Sequence, residues 1–580
     1  MKFAKIEIKN FRNLENVSID LSNKNVFFGM NDIGKTNLLY ALRFIFDKNT
    51  RRNGLQETDY FQQDTSKKIS IAITISLDFS QNDLTDTSSQ KIIAVFGKYM
   101  DSDAKKIHFE LKSIFDVNEN ESQISLFCGI NKDSLIELDI NGSYSSDIDK
   151  VFNVVYIDSY LDIKKIFNRN IKTLLSIPES MPDELKEIQT IKNDVKEINN
   201  KIQRLPRIEE FSQRISNEFA IFNNSDLKVS LQSEMAIHNI FSNLIPYLKE
   251  DDDDAIYPTS GEGRKKLLGY ALLKAISAVA KDRKINIFLL EEPETNLHRS
   301  LQLSLSNILY SNNVFEYLFI TTHSPTMLSQ MDNVNLVRIF KENHKINSKS
   351  YFYNVSPSFN EKRKFLNKNL AESVFAKKVL LVEGPSEYEL FSHVLSLIKP
   401  NYELNGVYIL PVNGIAFSEY KKVYNSLGIY YEIKTDNDLR EKSKSENEKK
   451  TELIEFEPIG FKRINSLLQT QSLPSTNILV ENSQNLVQEK RRLYDENKEK
   501  LKEIQKQYHL YLSKCSLEED LEETGILNIL KVKDPVKYLK SSKLYHMVDL
   551  ISNPSFNKEV AYKIYNHENF CCLKELFEDE

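Results

Sequence analysis

The chain has 580 residues, 41% hydrophobic and 28% charged, with a net charge of −6. These values suit a globular protein with more than one core, and the charge neither suggests nor excludes a nucleic-acid partner. No run approaches the roughly 18 apolar residues of a membrane span. The start, MKFAKIEIKNFRN, lacks an apolar signal core. Cys128, Cys515, Cys571 and Cys572 have no metal-type spacing, which fits a reducing cytoplasm. Basic clusters such as Arg264-Lys265-Lys266 and Lys421-Lys422 read as solvated surface before they read as phosphate sites.

In chain order, Phe3, Ile6, Ile8 and Phe11 suggest a strand, and Asn25–Phe28 a second one ending at Gly29. Asn37–Phe46 is apolar at helical spacing. The stretches at 68–79, 91–99 and 106–115 read as β, completing a mixed α/β lobe over residues 1–150. Within an insert over 151–227, Leu185, Ile188, Ile191, Val195, Ile198, Ile202 and Leu205 recur at steps of three and four. That is a narrow seam on a charged helix, suited either to its own domain or to a second copy. After Pro206, Ile208, Phe211, Ile215, Phe219 and Phe222 mark a second helix. β/α signals return over 228–345, a polar connector covers 346–369, and a further α/β unit with a helical C-terminal segment covers 370–580.

Gly29-Met-Asn31-Asp-Ile-Gly34-Lys35-Thr36 fits G-x-x-x-x-G-K-[ST] between a strand and a helix. Its glycines let backbone N–H groups curl around phosphate; Lys35 would reach the β- and γ-phosphates of ATP, and Thr36 its Mg²⁺. Three later elements complete the set. Thr259-Ser260-Gly261-Glu262-Gly263-Arg264 opens a helix toward phosphate. A strand over 287–290 ends in Glu291-Glu292, the first suited to the metal's water shell and the second to activating a water. A strand over 317–320 ends near His323, placed to sense the γ-phosphate. In this order the elements resemble the ABC-type heads of SMC and repair ATPases. The signature departs from the usual LSGGQ, and Glu291 stands where Asp is usual, which bears on hydrolysis more than on binding.

A second acidic site follows. The strand at 378–382 delivers Glu383 to a turn at Gly384, with Glu387 at the start of the next helix. A strand at 407–412 and a helix lead to the strand at 430–434, which delivers Asp436 and Asp438. Carboxylates at neighbouring strand ends repel one another unless a divalent cation sits among them. The E-G-x-[ST]-E and D-x-D elements resemble a Toprim domain.

An ABC head followed by Toprim resembles the OLD (overcoming lysogenization defect) nucleases. NVFFGMNDIGKTN, YPTSGEGRKK, LLVEGPSE, IKTDNDL and DPVKYLKSSKL look specifically like the Gabija branch of anti-phage endonucleases. The resemblance implies a metal-dependent DNA endonuclease that nicks, with Mg²⁺ or Mn²⁺ at the Toprim site. Its metals would be held by Glu383, Glu387, Asp436 and Asp438, completed by Glu518 and Asp520, with Lys543 as a catalytic cation. Several acids crowd 518–523, and Lys540 competes with Lys543. The resemblance also implies ATP as an inhibitor, a UvrD-like helicase partner docking on 370–580, and a homo-oligomer, a dimer of dimers. A repair-type DNA-binding ATPase with a structural Toprim domain and a Toprim RNA nuclease are the alternatives.

If the 183–205 seam joins two copies, replacing Ile191 and Ile198 with Glu places charge in an apolar contact. The mass measured by light scattering should then fall by a factor of about two. An unchanged mass assigns the seam to its own domain.

Overall fold

The structure, a computed structural model, describes residues 1–77, 87–100, 105–140, 146–159, 182–210, 212–213, 262–280, 284–311, 315–354, 363–414, 417–442, 454–480 and 485–578. The chain divides into two compact units. One comprises residues 1–4, 8–12 and 36–321; the other comprises 5–7, 13–35 and 322–580. No helix among the described residues is long and apolar enough to cross a membrane.

In the first unit, strands Ile69–Ser76, Lys106–Asp116, Glu121–Gly129 and Ile136–Leu138 pair antiparallel in that order. Strand Ile285–Glu291 pairs in parallel with Phe152–Ile157 on one side and Tyr317–Thr322 on the other. Ile287–Leu290 and Tyr317–Thr322 are buried throughout, as the interior of a parallel sheet requires, whereas Phe152–Ile157 is half-exposed between its buried ends. Phe3, Phe46, Phe152 and Phe319 fill the core edge-to-face or tilted, with ring centroids 4.8–6.1 Å apart. Arg51, fully buried, forks onto both oxygens of Asp149 at 2.6 Å.

Residues 87–96, where 91–99 read as β, form a helix followed by a 3₁₀ turn. Ser89, Ile92 and Phe96 are its buried face, and their spacing of three and four had been obscured by the β-branched pair Ile92-Ile93. The seam lies on helix Pro182–Gln203, where Ile191 and Ile198 are 42% and 54% exposed. The side chains of Leu185 and Ile188, and most of the expected second helix, lie outside the described residues.

In the second unit, strand Lys24–Phe28 runs parallel to Val334–Glu342, with Phe28 opposite Arg338. The expected connector begins instead as a strand: Lys345–Tyr353 pairs antiparallel with Val334–Glu342. Asn343 and His344 both have positive φ (47° and 63°), the requirement of a two-residue type I′ hairpin turn. The strand is half-exposed, so its polar composition disguised it.

The remainder of this unit is a four-stranded parallel sheet in the order Val407–Pro411, Lys378–Val382, Tyr430–Thr435, Leu510–Leu512. The Lys378–Val382 strand therefore lies between its two successors, and its end adjoins the end of Tyr430–Thr435. Leu380 and Val382 pack with Leu390, Phe391 and Val394 of helix Pro385–Ile398 and with Leu539, Met547 and Ile564 of the C-terminal helices. A three-stranded antiparallel sheet, Leu439–Glu441, Ile454–Pro458 and Ile478–Val480, is inserted before the last parallel strand. It carries helix Ile459–Leu468. The charged stretch 486–508 forms two helices, Leu486–Glu496 and Lys498–Tyr508, separated at Asn497.

Candidate functional site

The acidic site is built on the carboxyl ends of the parallel strands, where open α/β sheets present their ligands. Val382 leads into Glu383, and Glu383 Oε1 accepts the backbone N–H of Asp436 at 2.8 Å and the hydroxyl of Thr435. The D-x-D loop is fastened by its middle residue. Asn437 is fully buried; its backbone N–H donates to Cys515 O at 3.0 Å. Its side-chain amide donates to Lys490 O at 2.9 Å and Lys514 O at 3.2 Å. One side chain thus ties the second acidic motif to the segment preceding the third. On the other side, Gly460 N donates to Asp438 O at 3.2 Å.

The third motif lies on helix Leu517–Glu523, whose first turn buries Glu518, Glu519 and Asp520. Glu518 Oε1 stands 3.8 Å from Lys543 Nζ, and its other oxygen accepts from Ser516. Glu519 takes Lys540 and Ser516. Burial works against Glu519, yet Lys540 and Ser516 hold its carboxyl below the usual range. Asp520 accepts the backbone N–H groups of Cys515 and Lys514 at 3.1 and 3.2 Å, and Lys434 lies 3.9 Å away. The structure therefore pairs Glu518 with Lys543 and Glu519 with Lys540, and turns Asp520 toward the strand-end backbone.

Electrostatics tie these groups into one cluster. Burial, then Glu383, Glu387, Asp438 and Asp520, push the pKa of Asp436 well above the usual carboxylate value. Glu387 is raised by burial first, with Glu383 and Glu518 adding to it. Burial pulls Lys543 down, but Glu518, Asp436, Glu387 and Asp438 outweigh it and raise the amine. The sequence pattern leads one to expect that a divalent ion alone relieves this repulsion. Instead, the chain also supplies cations that carry no motif. Arg463 donates to Glu383 and Thr435 and approaches Asp438 to 3.9 Å, and Lys490 stands 3.3 Å from Asp438. As they stand, no three acidic, histidine or cysteine side chains among the described residues are grouped to hold an ion. The donor set is nonetheless all carboxylate oxygen around a buried Asp436, which suits a hard divalent ion.

The nucleotide-motif residues are distributed over both units. In the second, Gly29 and Gly34 have φ of +149° and +93°. A Cβ at Gly29 would stand 2.2 Å from Ile339 O, and one at Gly34 would stand 2.5 Å from Asn13 Oδ1, so only glycine fits. Lys35 lies over its own loop, donating to Met30 O at 2.6 Å and Gly29 O at 3.3 Å. Asn31 sits in the same loop, and His323 follows directly after the end of strand Tyr317–Thr322.

In the first unit, Thr36 donates to one oxygen of Glu291 and Tyr156 to the other, each at 2.5 Å. Burial, then Glu291 itself, raise the pKa of Tyr156 and keep it a donor. Glu292 adopts φ +41°, a conformation uncommon outside Gly, Asn and Asp. Its N–H is held by Thr321 O at 3.0 Å. Lys266 donates to Thr295 O at 2.9 Å and Ser159 O at 3.2 Å, bracing the turn beyond Glu292. Ser260 and Gly261 lie outside the described residues. Sequence reasoning missed Tyr156, Lys266, Asn437, Gly460, Arg463 and Lys490. Of these, only Asn437, inside the D-x-D element, and Lys266 lay in or beside a motif.

Comparison with known proteins agrees with both halves. The AAA ATPase domain family matches residues 1–328, and the overcoming lysogenization defect protein-like TOPRIM domain matches residues 374–438. Endonuclease GajA of Bacillus cereus strain VD045 is 40% identical over 99% of this chain and 99% of its own. The Old nuclease of Escherichia phage P2 is 22% identical over 76% of this chain and 78% of its own. Among solved structures, an SMC head bound to the C-winged helix domain of ScpA covers 61% of this chain and 98% of its own, at 15% identity and a TM-score of 0.34.

Gly460 offers a test of the loop geometry. An added Cβ would stand 2.7 Å from Asp436 O and 2.8 Å from Asn437 Cα, both backbone atoms. Gly460→Ala should displace the 436–438 loop, lowering stability by about 1–3 kcal/mol in denaturant unfolding. Any cleavage activity should fall with it. Parent-like stability would show that the helix and loop are not in this contact.

Proposed function

The chain belongs to the GajA endonuclease family, and we propose that it hydrolyses DNA phosphodiesters at the acid cluster around Glu383, under control of nucleotide bound by its ATPase domain. The observation that carries this reading is the burial of Asp436 among Glu383, Glu387, Asp438 and Asp520, with Lys543 facing Glu518, Asp436, Glu387 and Asp438. A structural domain has no use for so many carboxylates gathered at one buried point.

Glu383, Glu387, Asp436, Asp438 and Glu518 would hold Mg²⁺ or Mn²⁺. The bound ions would supply Lewis acidity and an activated water. Glu383 is oriented for this by the Asp436 N–H and Thr435. Lys543, raised in basicity by four acids, stays protonated and can offset charge on the phosphoryl oxygens. Asp520, whose oxygens accept the backbone N–H groups of Lys514 and Cys515, would complete the set from the turn that carries Glu518. The elementary reaction is a nick.

In the ATPase domain, Gly29, Asn31, Gly34 and Lys35 would receive the phosphates of ATP. Thr36 and Glu291 would hold the Mg²⁺, and Glu292, Ser260, Gly261 and His323 would complete the nucleotide machinery. Control of the nuclease is supported by contacts within the second unit. Phe28, next to Gly29, packs edge-on against Phe375 at 5.5 Å, close before the strand that delivers Glu383. Arg338, opposite Phe28, donates to Gly428 O at 2.5 Å, just before the strand that delivers Asp436. A shift at the phosphate loop thus has a short route to both acids. A role in anti-phage defence, a UvrD-like helicase partner on residues 370–580 and self-association through the exposed Ile191–Ile198 seam complete the proposal.

Purified protein with Mg²⁺ should nick supercoiled plasmid, and Glu383→Ala should lower the rate by roughly two or more orders of magnitude while leaving nucleotide binding intact. Cutting at the parent rate would remove the assignment of the site.

Lys35→Ala removes a phosphate contact. ATP, which is expected to inhibit the parent, should then change the cutting rate far less. Undiminished ATP sensitivity would place the sensor elsewhere.

A further inference from the structure

Arg463 lies 25 residues beyond Asp438 in sequence, on helix Ile459–Leu468, outside every recognised motif. Its Nη1 donates to Glu383 Oε1 and Thr435 Oγ1, and its Nη2 stands 3.9 Å from Asp438 Oδ2. One guanidinium therefore spans the first and second acidic motifs.

This is a placed side chain rather than a wandering surface arginine. The helix begins against the 436–438 loop, where Gly460 N donates to Asp438 O and where no Cβ fits. Position 463 is three residues further on, hence on the same face of the helix. The helix itself is anchored by buried Phe461 and Ile464, and by Asn465, which exchanges two hydrogen bonds with the backbone of Leu473 at 2.8 and 2.9 Å. The guanidinium end remains reachable, with the side chain 27% exposed.

Glu383 Oε1 cannot bond the guanidinium and ligate a divalent ion in the same geometry. Once an ion takes that oxygen, the charge attraction that holds Arg463 there is largely cancelled. The guanidinium is then a planar cation with its N–H groups released, and it needs no large chain movement because it already stands beside Glu383 and Asp438. Its fork of N–H groups matches two oxygens of a phosphodiester. Lys490, 3.3 Å from Asp438, adds positive charge on the same side.

We propose that Arg463 is an exchangeable active-site cation. It neutralises Glu383 and Asp438 before the divalent ion is bound, competes with that ion for Glu383, and then contacts the DNA backbone. The proposal rests on the nuclease reading for its second partner, and its first partner is measurable without any cleavage.

The test uses full-length Arg463→Gln and Arg463→Lys beside the parent and Glu383→Ala. Mn²⁺ binding is followed by titration without nucleotide, and only binding lost in Glu383→Ala is counted. Duplex binding is followed by fluorescence anisotropy with Ca²⁺ across a salt series. Arg463→Gln should bind Mn²⁺ several-fold tighter than the parent. It should bind DNA more weakly, with the salt slope reduced by about 0.9, the loss of one phosphate contact. Arg463→Lys keeps the charge, so its salt slope should be that of the parent. If Arg463→Gln does not fold, Arg463→Lys must still bind Mn²⁺ more tightly, because a single ammonium cannot face Glu383 and Asp438 at once as the two nitrogens of the guanidinium do. Mn²⁺ affinity equal to or weaker than the parent's in the folded variants overturns the exchange, and an unchanged salt slope in Arg463→Gln overturns the phosphate contact. Failure of the nuclease reading would look different: the parent would not nick plasmid, whatever its Mn²⁺ affinity.

Discussion

The hydrogen bond from the Asp436 backbone N–H to Glu383 is the contact on which the acidic site depends. It joins the ends of two adjacent parallel strands and fixes the first carboxylate relative to the second. Around it the loop 436–438 acts as a hub. Asn437 reaches the Lys490 and Lys514 carbonyls, Cys515 O accepts from its backbone, and the Gly460 N–H meets Asp438 O. Three segments far apart in sequence are thereby held to one loop by backbone-directed hydrogen bonds. Such bonds are short and directional, so the carboxylates are positioned by the sheet rather than by their own mutual preferences.

Those preferences are unfavourable. Asp436 is buried beside four other acids, and burial alone makes its charged form costly. The chain answers with cations from three different helices: Arg463 on Glu383, Lys490 on Asp438 and Lys543 on Glu518. Each is drawn from outside the strand-loop-helix units that carry the acids. Compensation of this kind lets the fold form with its acidic site assembled.

The ATPase motifs show the same division between motif and support. Glu291 is held on both oxygens, by Thr36 and by Tyr156, and neither bond leaves it free to turn. Glu292 next to it is held at positive φ, a conformation that persists where the surrounding structure fixes it. Thr36 was legible from the phosphate-loop pattern; Tyr156 sits near the end of its strand, 135 residues before its partner, and carried no signal.

By itself the sequence determined the parts whose chemistry is local. Strand, turn and acid are contiguous in VLLVEGPSE and in the run through IKTDND, so the parallel sheet, the helices between its strands and the acids at their ends could all be read directly. The phosphate loop was legible for the same reason. Local pattern failed where a face had to be chosen. Ile92 and Phe96 alternate too little to separate strand from helix, and the hairpin at Asn343-His344 depends on two positive φ angles that polar composition does not announce. Glu518 and Glu519 are neighbours on one helical turn, pointing about 100° apart. Only the docking of that helix decided which of them meets Lys543 and which meets Lys540. Arg463, Lys490 and Asn437 act through contacts that cross 50 to 80 residues of chain. Such contacts are set by how the inserted sheet and its helix pack, and long-range packing leaves no periodicity in the sequence from which to read it.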